Sequence, residues 1–283
     1  MKTLSYQVVD VFTDRPFTGN PLAVVFGADD LAGGQMQAIA REFHLSETVF
    51  LLPPWTANAT YRARIFTPAE ELPFAGHPSV GAAVTGMRRG MFGAGEVVQE
   101  CGAGLLPLSV SADGKATLTG GTPTLGDELD PAPLLASVGL STEDFAGPPP
   151  RVAGCGLEFT YLSVVPDAVA RASCPPAGMV SVFAWDAGMA SSHTRVFCPA
   201  VGVPEDPATG SAALGFGIWL VASGLLPGEN TSAYTIRQGI ELHRPSTLDG
   251  SVFAANGLAT KATVTGHVVP IASGEIAVPP FVG

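Results

Sequence analysis

"ARIFTPAEELPFAGHPSVGAA", residues 63–83, has an echo in "TRVFCPAVGVPEDPATGSAA", residues 194–213. Each copy runs from an apolar strand containing an arginine, through a loop of Gly, Pro and carboxylates, into an alanine-rich stretch of helical character. The strands match in Arg, Phe, Pro and Ala at a separation of 131 residues. Setting "FAGHPSVGAA" against "PEDPATGSAA" gives 130, a register that loses one residue between strand and loop. A duplication of this length predicts two similar lobes, since a solenoid needs at least three shorter repeats. Two lobes make a cleft, and matched strand–loop–helix units are expected to aim both helix mouths at one ligand.

Working outward, the first half reads as short strands: "YQVVDVF", "PLAVVF", "ETVFLL", "ATYRARIF", "EVVQEC", "LPLSV" and "KATLTG", bounded by Gly, Pro or Asp. Two helices are expected among them, "GGQMQAIAREFHL" and "SVGAAVTGMRRG". The second half follows the same outline, with "APLLASVGL" and "SAALGFGIWLVASG" as helices and "EFTYLSVV", "VSVFAW" and "SHTRVFCP" as strands. Dense in Gly, Pro and Asp, "GGTPTLGDELDPAP" is expected to be a crossover between lobes. The reading is an α+β chain with residues 1–118 and 265–283 in an N-terminal lobe and 119–264 in a C-terminal one.

Composition narrows the function. At 283 residues and 46% hydrophobic, the chain can bury roughly three quarters of its unfolded surface. Its 14 basic and 25 acidic side chains give a formal net charge of −11, which repels nucleic acid and anionic membranes. "MKTLSYQVVDVF" alternates like a strand and is expected to belong to the mature chain, not to an export signal. "LGFGIWLVASGLL" is interrupted by Gly and Ser and falls short of the roughly 20 residues of a spanning helix. Cys101, Cys155, Cys174 and Cys198 form no CxxC pair, so reduced thiols and a cytoplasmic location are expected.

The first N–H groups of a helix lack internal partners and carry partial positive charge, so a helix mouth holds carboxylate or phosphate without Lys or Arg. Gly76 lets backbone approach a ligand, Pro78 suits a first helical turn, and Gly210 with Ser211 do the equivalent in the second copy. A proton carrier is sought among Glu47, Glu70, Glu71, Glu205 and Asp206. Of these, Glu47 stands beside Ser46 at the start of a very apolar run, a setting that desolvates a carboxylate and raises its pKa, although the same pattern also fits a strand-edge surface residue. His77 fits either a site residue or a loop histidine bonded to backbone. No HExxH, GxSxG or GxGxxG is present, which points to chemistry without metal or organic cofactor.

"DVFTDRPFTGNPLAVV", "REFHLSETVF", "FAGHPSVGAA" and "EDPATGSAALGFG", followed by "RQGIELHRPSTL", together resemble the PhzF-like phenazine-biosynthesis proteins over essentially the whole chain. The resemblance implies a diaminopimelate-epimerase-like fold, two pseudo-symmetric lobes each with a curled mixed sheet around a central helix, in a homodimer. It implies isomerisation of a small carboxylated metabolite by proton movement without cofactor, the founding activity being on a dihydro-hydroxyanthranilate. By it Glu47 is the general acid/base, and Ser46, Gly76, His77, Asp206, Gly210 and Ser211 hold and polarise the substrate. The two-cysteine racemases of the same fold carry thiols in these two loops. Here Ala75 and Glu205–Asp206 stand there instead, which leaves racemisation as the second reading and a non-catalytic small-acid binding protein as the third.

Overall fold

The computed structural model describes residues 2–280, and the first residue and last three residues of the expected N-terminal lobe lie outside them. The chain is mixed and strand-rich with few helices, and it separates into two compact units. The first takes the chain up to Leu118 and again from Thr265, and the second is Thr119–Val264.

In the first unit, β1 (Thr3–Val11) pairs antiparallel with β2 (Asn20–Phe26). Helix α1 (Gly33–Phe43) then carries the chain over to β3 (Glu47–Leu52), parallel to β2 in the register Leu22↔Glu47. A helical crossover is what a parallel neighbour requires. It leaves the starts of β2 and β3 side by side. Strands β4 (Tyr61–Phe66) and β5 (Glu71–Leu72) follow antiparallel, then helix α2 (Gly76–Arg88). Next come β6 (Gly95–Cys101), parallel to β4, β7 (Gly104–Val110) and β8 (Lys115–Thr119).

The second unit repeats these pairings. It opens with β9 (Thr124–Glu128) and α3 (Pro131–Ser137). Strand β10 (Arg151–Gly154) is antiparallel to β11 (Glu158–Ser163), and α4 (Pro166–Arg171) crosses to a parallel β12 (Val180–Asp186). Antiparallel β13 (Ser191–Cys198) and β14 (Val203–Asp206) lead into α5 (Gly210–Ala222). Then β15 (Asn230–Gln238) runs parallel to β13 and antiparallel to β16 (Ser246–Ala255). The last strand, β17 (Leu258–Ala277), returns to β1.

Helices α2 and α5 are the cores of their units. From Gly76 to Gly86 every residue of α2 is buried, and so is every residue of α5 from Gly210 to Val221. A helix apolar all round has no face for water and must be packed on every side. Gly81 and Gly215 occupy the same turn of the two helices. A Cβ on Gly81 would lie 2.4 Å from Leu22 Cδ2, and one on Gly215 would lie 2.4 Å from the Tyr161 hydroxyl. On the other side of the first unit's strands, Met36, Ile39 and Ala40 of α1 pack on Val25, Phe50, Leu52 and Phe66.

Two readings are corrected. Arg64 matches Arg195, but the helix starts are Gly76 and Gly210, so the second copy is three residues longer between strand and helix, not one shorter. The coincident Ala-Ala pairs had suggested the false register. "GGTPTLGDELDPAP" is more than a connection, because it contains β9, paired with β10. This strand is largely exposed, so it carries no alternation of buried residues by which to recognise it.

Candidate active site

The start of β3, the start of β2 and the first turn of α2 bring Glu47, Ser46, Asn20, Gly76 and His77 together in the first unit. Helix α1 ends at His44 in the left-handed region (φ 51°), and the chain turns through Leu45 and Ser46 into β3, whose first residue is Glu47. His77 Nε2 lies 3.5 Å from Glu47 Oε2, with the two side chains only 4% and 13% exposed. On the other side of the ring, Asn20 Nδ2 donates to His77 Nδ1 at 3.2 Å, while Ser46 Oγ donates to Asn20 Oδ1 at 3.3 Å.

Burial dominates the electrostatics of Glu47. Desolvation pushes its carboxyl up to about 7 from an ordinary value of 4.5, and the Ser46 hydroxyl pulls more weakly the other way. A carboxyl poised near neutrality is equipped both to take and to return a proton. The shift has a stability consequence. Between 4.5 and 7 the folded chain holds a proton that the unfolded chain has lost, so this contribution is fully present below 4.5 and is lost as pH rises to about 7. Glu47→Gln removes the loss: unfolding followed from pH 4 to 9 should find the two proteins alike at the acid end and the variant more stable by about 3 kcal/mol at the alkaline end.

In the second unit, Asp206, Gly210 and Ser211 are gathered at the mouth of α5. Thr209 is the N-cap residue, a position where a threonine hydroxyl ordinarily accepts from the first turn. Here its hydroxyl instead donates to Asp206 Oδ2 at 2.6 Å and accepts from Gln238 Nε2 at 2.9 Å. Gln238 also donates to the Asp206 carbonyl at 2.7 Å and accepts from Thr209 N at 3.2 Å, which fixes the loop at both ends. Gly239 follows with φ +76°, where a Cβ would lie 2.4 Å from the Arg244 carbonyl and 2.6 Å from that of Pro207. Ala75, the N-cap of α2, has no side-chain cap either. Neither central helix therefore covers its mouth with its own N-cap side chain, and Ser211 stands in the first turn of α5 where His77 stands in α2.

Three of the candidate carboxylates do not share this setting. Glu71 takes a bidentate pair from Arg64, both contacts at 2.7 Å, and Glu205 the equivalent pair from Arg195 at 2.8 and 2.7 Å. These are the same structural clasp in each copy. Glu70 is exposed in the loop. A second His–carboxylate contact, His193 to Glu241 at 2.9 Å, is more open and belongs to no helix mouth. Reading the sequence missed Asn20, Thr209 and Gln238, although each lies inside a stretch that carried the resemblance.

A family model described as phenazine biosynthesis-like protein matches residues 9–274. The trans-2,3-dihydro-3-hydroxyanthranilate isomerase of Pseudomonas aeruginosa is 38% identical, covering 95% of this chain and 98% of its own. An uncharacterized isomerase of Mesorhizobium japonicum is 35% identical over 98% and 99% of the two chains. Among solved structures, a PhzF-family protein of Bacillus anthracis superposes with a TM-score of 0.89 at 24% identity, over 98% of this chain and 100% of that one.

Proposed function

The chain belongs to the PhzC-PhzF, phenazine biosynthesis-like family, in which the Pseudomonas aeruginosa and Mesorhizobium japonicum relatives are named isomerases, and from that premise we propose that it moves a proton on a small carboxylated metabolite with Glu47 as general acid and base. The observation that carries the reading is the buried Glu47–His77 contact with its carboxyl pushed up to about 7. In the proposed reaction, ionised Glu47 takes a proton from carbon, His77 steadies the carboxylate, and the protonated Glu47 returns the proton to another carbon of the same skeleton. The substrate carboxylate and the enolate-like charge that develops are held by the backbone N–H groups of the helix mouths at Gly76–His77 and Gly210–Ser211, with Asp206 fixing a polar substituent. That both sets serve one substrate within a diaminopimelate-epimerase-like arrangement of two lobes is part of the proposal, as are the homodimer and the absence of a cofactor.

A racemase reading finds no thiol pair in the two loops, since Ala75 and Glu205–Asp206 occupy them. The compound named for the Pseudomonas relative is the first to try, followed by cyclic and amino-substituted carboxylic acids in a thermal-shift screen with product analysis. A product of unchanged mass and moved double bond supports the proposal. Tight binding with no product across the panel favours the non-catalytic reading instead.

A further inference from the structure

We infer that Asn20 is a positioning residue that holds His77 as the Nε2–H tautomer, so that the ring turns a proton, not a lone pair, toward Glu47. Its bearing on turnover rests on the function proposed above, whereas its bearing on the ring does not.

Asn20 is fully buried and is the first residue of β2, held in register opposite Val11. Gly19 before it has φ +69°, and a Cβ there would lie 2.4 Å from the Val11 carbonyl, so the backbone that presents the amide has little latitude. An amide nitrogen donates and never accepts. With Asn20 Nδ2 at 3.2 Å from His77 Nδ1, that ring nitrogen is the acceptor, and a neutral imidazole then carries its proton on Nε2, the atom 3.5 Å from Glu47 Oε2. In this orientation the Ser46 hydroxyl lies 3.3 Å from Oδ1 and donates to it. Turned over, the amide would place an oxygen against Nδ1 and drive the proton there. A bare Nε2 lone pair would then oppose the ionised carboxylate. In the observed orientation, ionised Glu47 faces a proton-bearing Nε2 at 3.5 Å, whose positive end favours the base form against the desolvation that opposes it.

The test is a long-range ¹H–¹⁵N correlation spectrum of the full-length chain labelled at histidine, recorded without substrate at pH 8.5, with His77 assigned by its loss in His77→Gln. The wild type should show His77 with the proton on Nε2. Asn20→Asp keeps the shape but presents only acceptors, and it should put a proton on Nδ1. A wild-type spectrum with the proton on Nδ1 overturns the inference even if no variant folds. An Asn20→Asp spectrum with His77 unchanged overturns it as well. Once a substrate is known, Asn20→Asp should lower kcat at least about tenfold with KM moved less than about threefold. A switched tautomer with kcat unchanged would uphold the role of Asn20 and count against the catalytic use of the Glu47–His77 contact.

Discussion

Glu47→Gln should keep substrate binding within a few fold and lose turnover by at least about 10², the scale of a general acid/base. Gln has nearly the same shape and occupies the same place at the start of β3, but it cannot exchange a proton with carbon. The wild-type kcat/KM should rise with pH below about 7 and level above it, because the ionised form is the base and burial sets its midpoint. Turnover in deuterated water should place deuterium at the new carbon position. Near-normal turnover by the Gln variant would move the role to another group, with Asp206 the first candidate.

Glu205→Ala should destabilise the chain by about 2 to 3 kcal/mol, the scale of leaving a largely desolvated guanidinium without its hydrogen-bonded carboxylate. Arg195 and Glu205 are only 11% and 12% exposed, and Arg195 also donates to the carbonyls of Val169, Ala170 and Ala172. Those carbonyls satisfy N–H groups without neutralising charge. The matching clasp in the first unit is open to water, with Arg64 at 25% and Glu71 at 41% exposed, so Glu71→Ala should lose about 1 kcal/mol or less. Urea unfolding of the two variants measures the contrast. Equal losses would show that the two clasps, though alike in geometry, do not differ in desolvation.

The duplicated arginine strand, the two helix mouths and the apolar run after Glu47 were legible because each rests on a local pattern. Period-2 alternation marks a half-buried strand, and a helix apolar on every face marks a core. What escaped depended on contacts between distant segments. Nothing in "TGNPLAVV" says that Asn20 reaches Ser46 and His77, since that meeting follows from the parallel register of β2 with β3 and the docking of α2. Gln238 likewise gains its meaning only when β15 is laid beside β13 and its side chain meets the Asp206–Thr209 loop. Among the carboxylates, sequence proximity could not separate Glu71 and Glu205, each neutralised by an arginine across a strand pair, from Glu47, which has a histidine and little water. The register of the repeat failed for a related reason. Alanines are interchangeable in a buried helix, whereas Gly81 and Gly215, each pressed against a neighbour, mark equivalent turns.

The function proposed for Glu47 requires its desolvated carboxyl to exchange a proton near neutral pH. Carboxyl ¹³C chemical shifts of glutamate-labelled protein, titrated from pH 4 to 9 and compared with Glu47→Gln, measure this without a substrate. One carboxyl resonance, absent from the variant, should titrate with a midpoint near 7. A Glu47 midpoint at the ordinary 4.5 would contradict it.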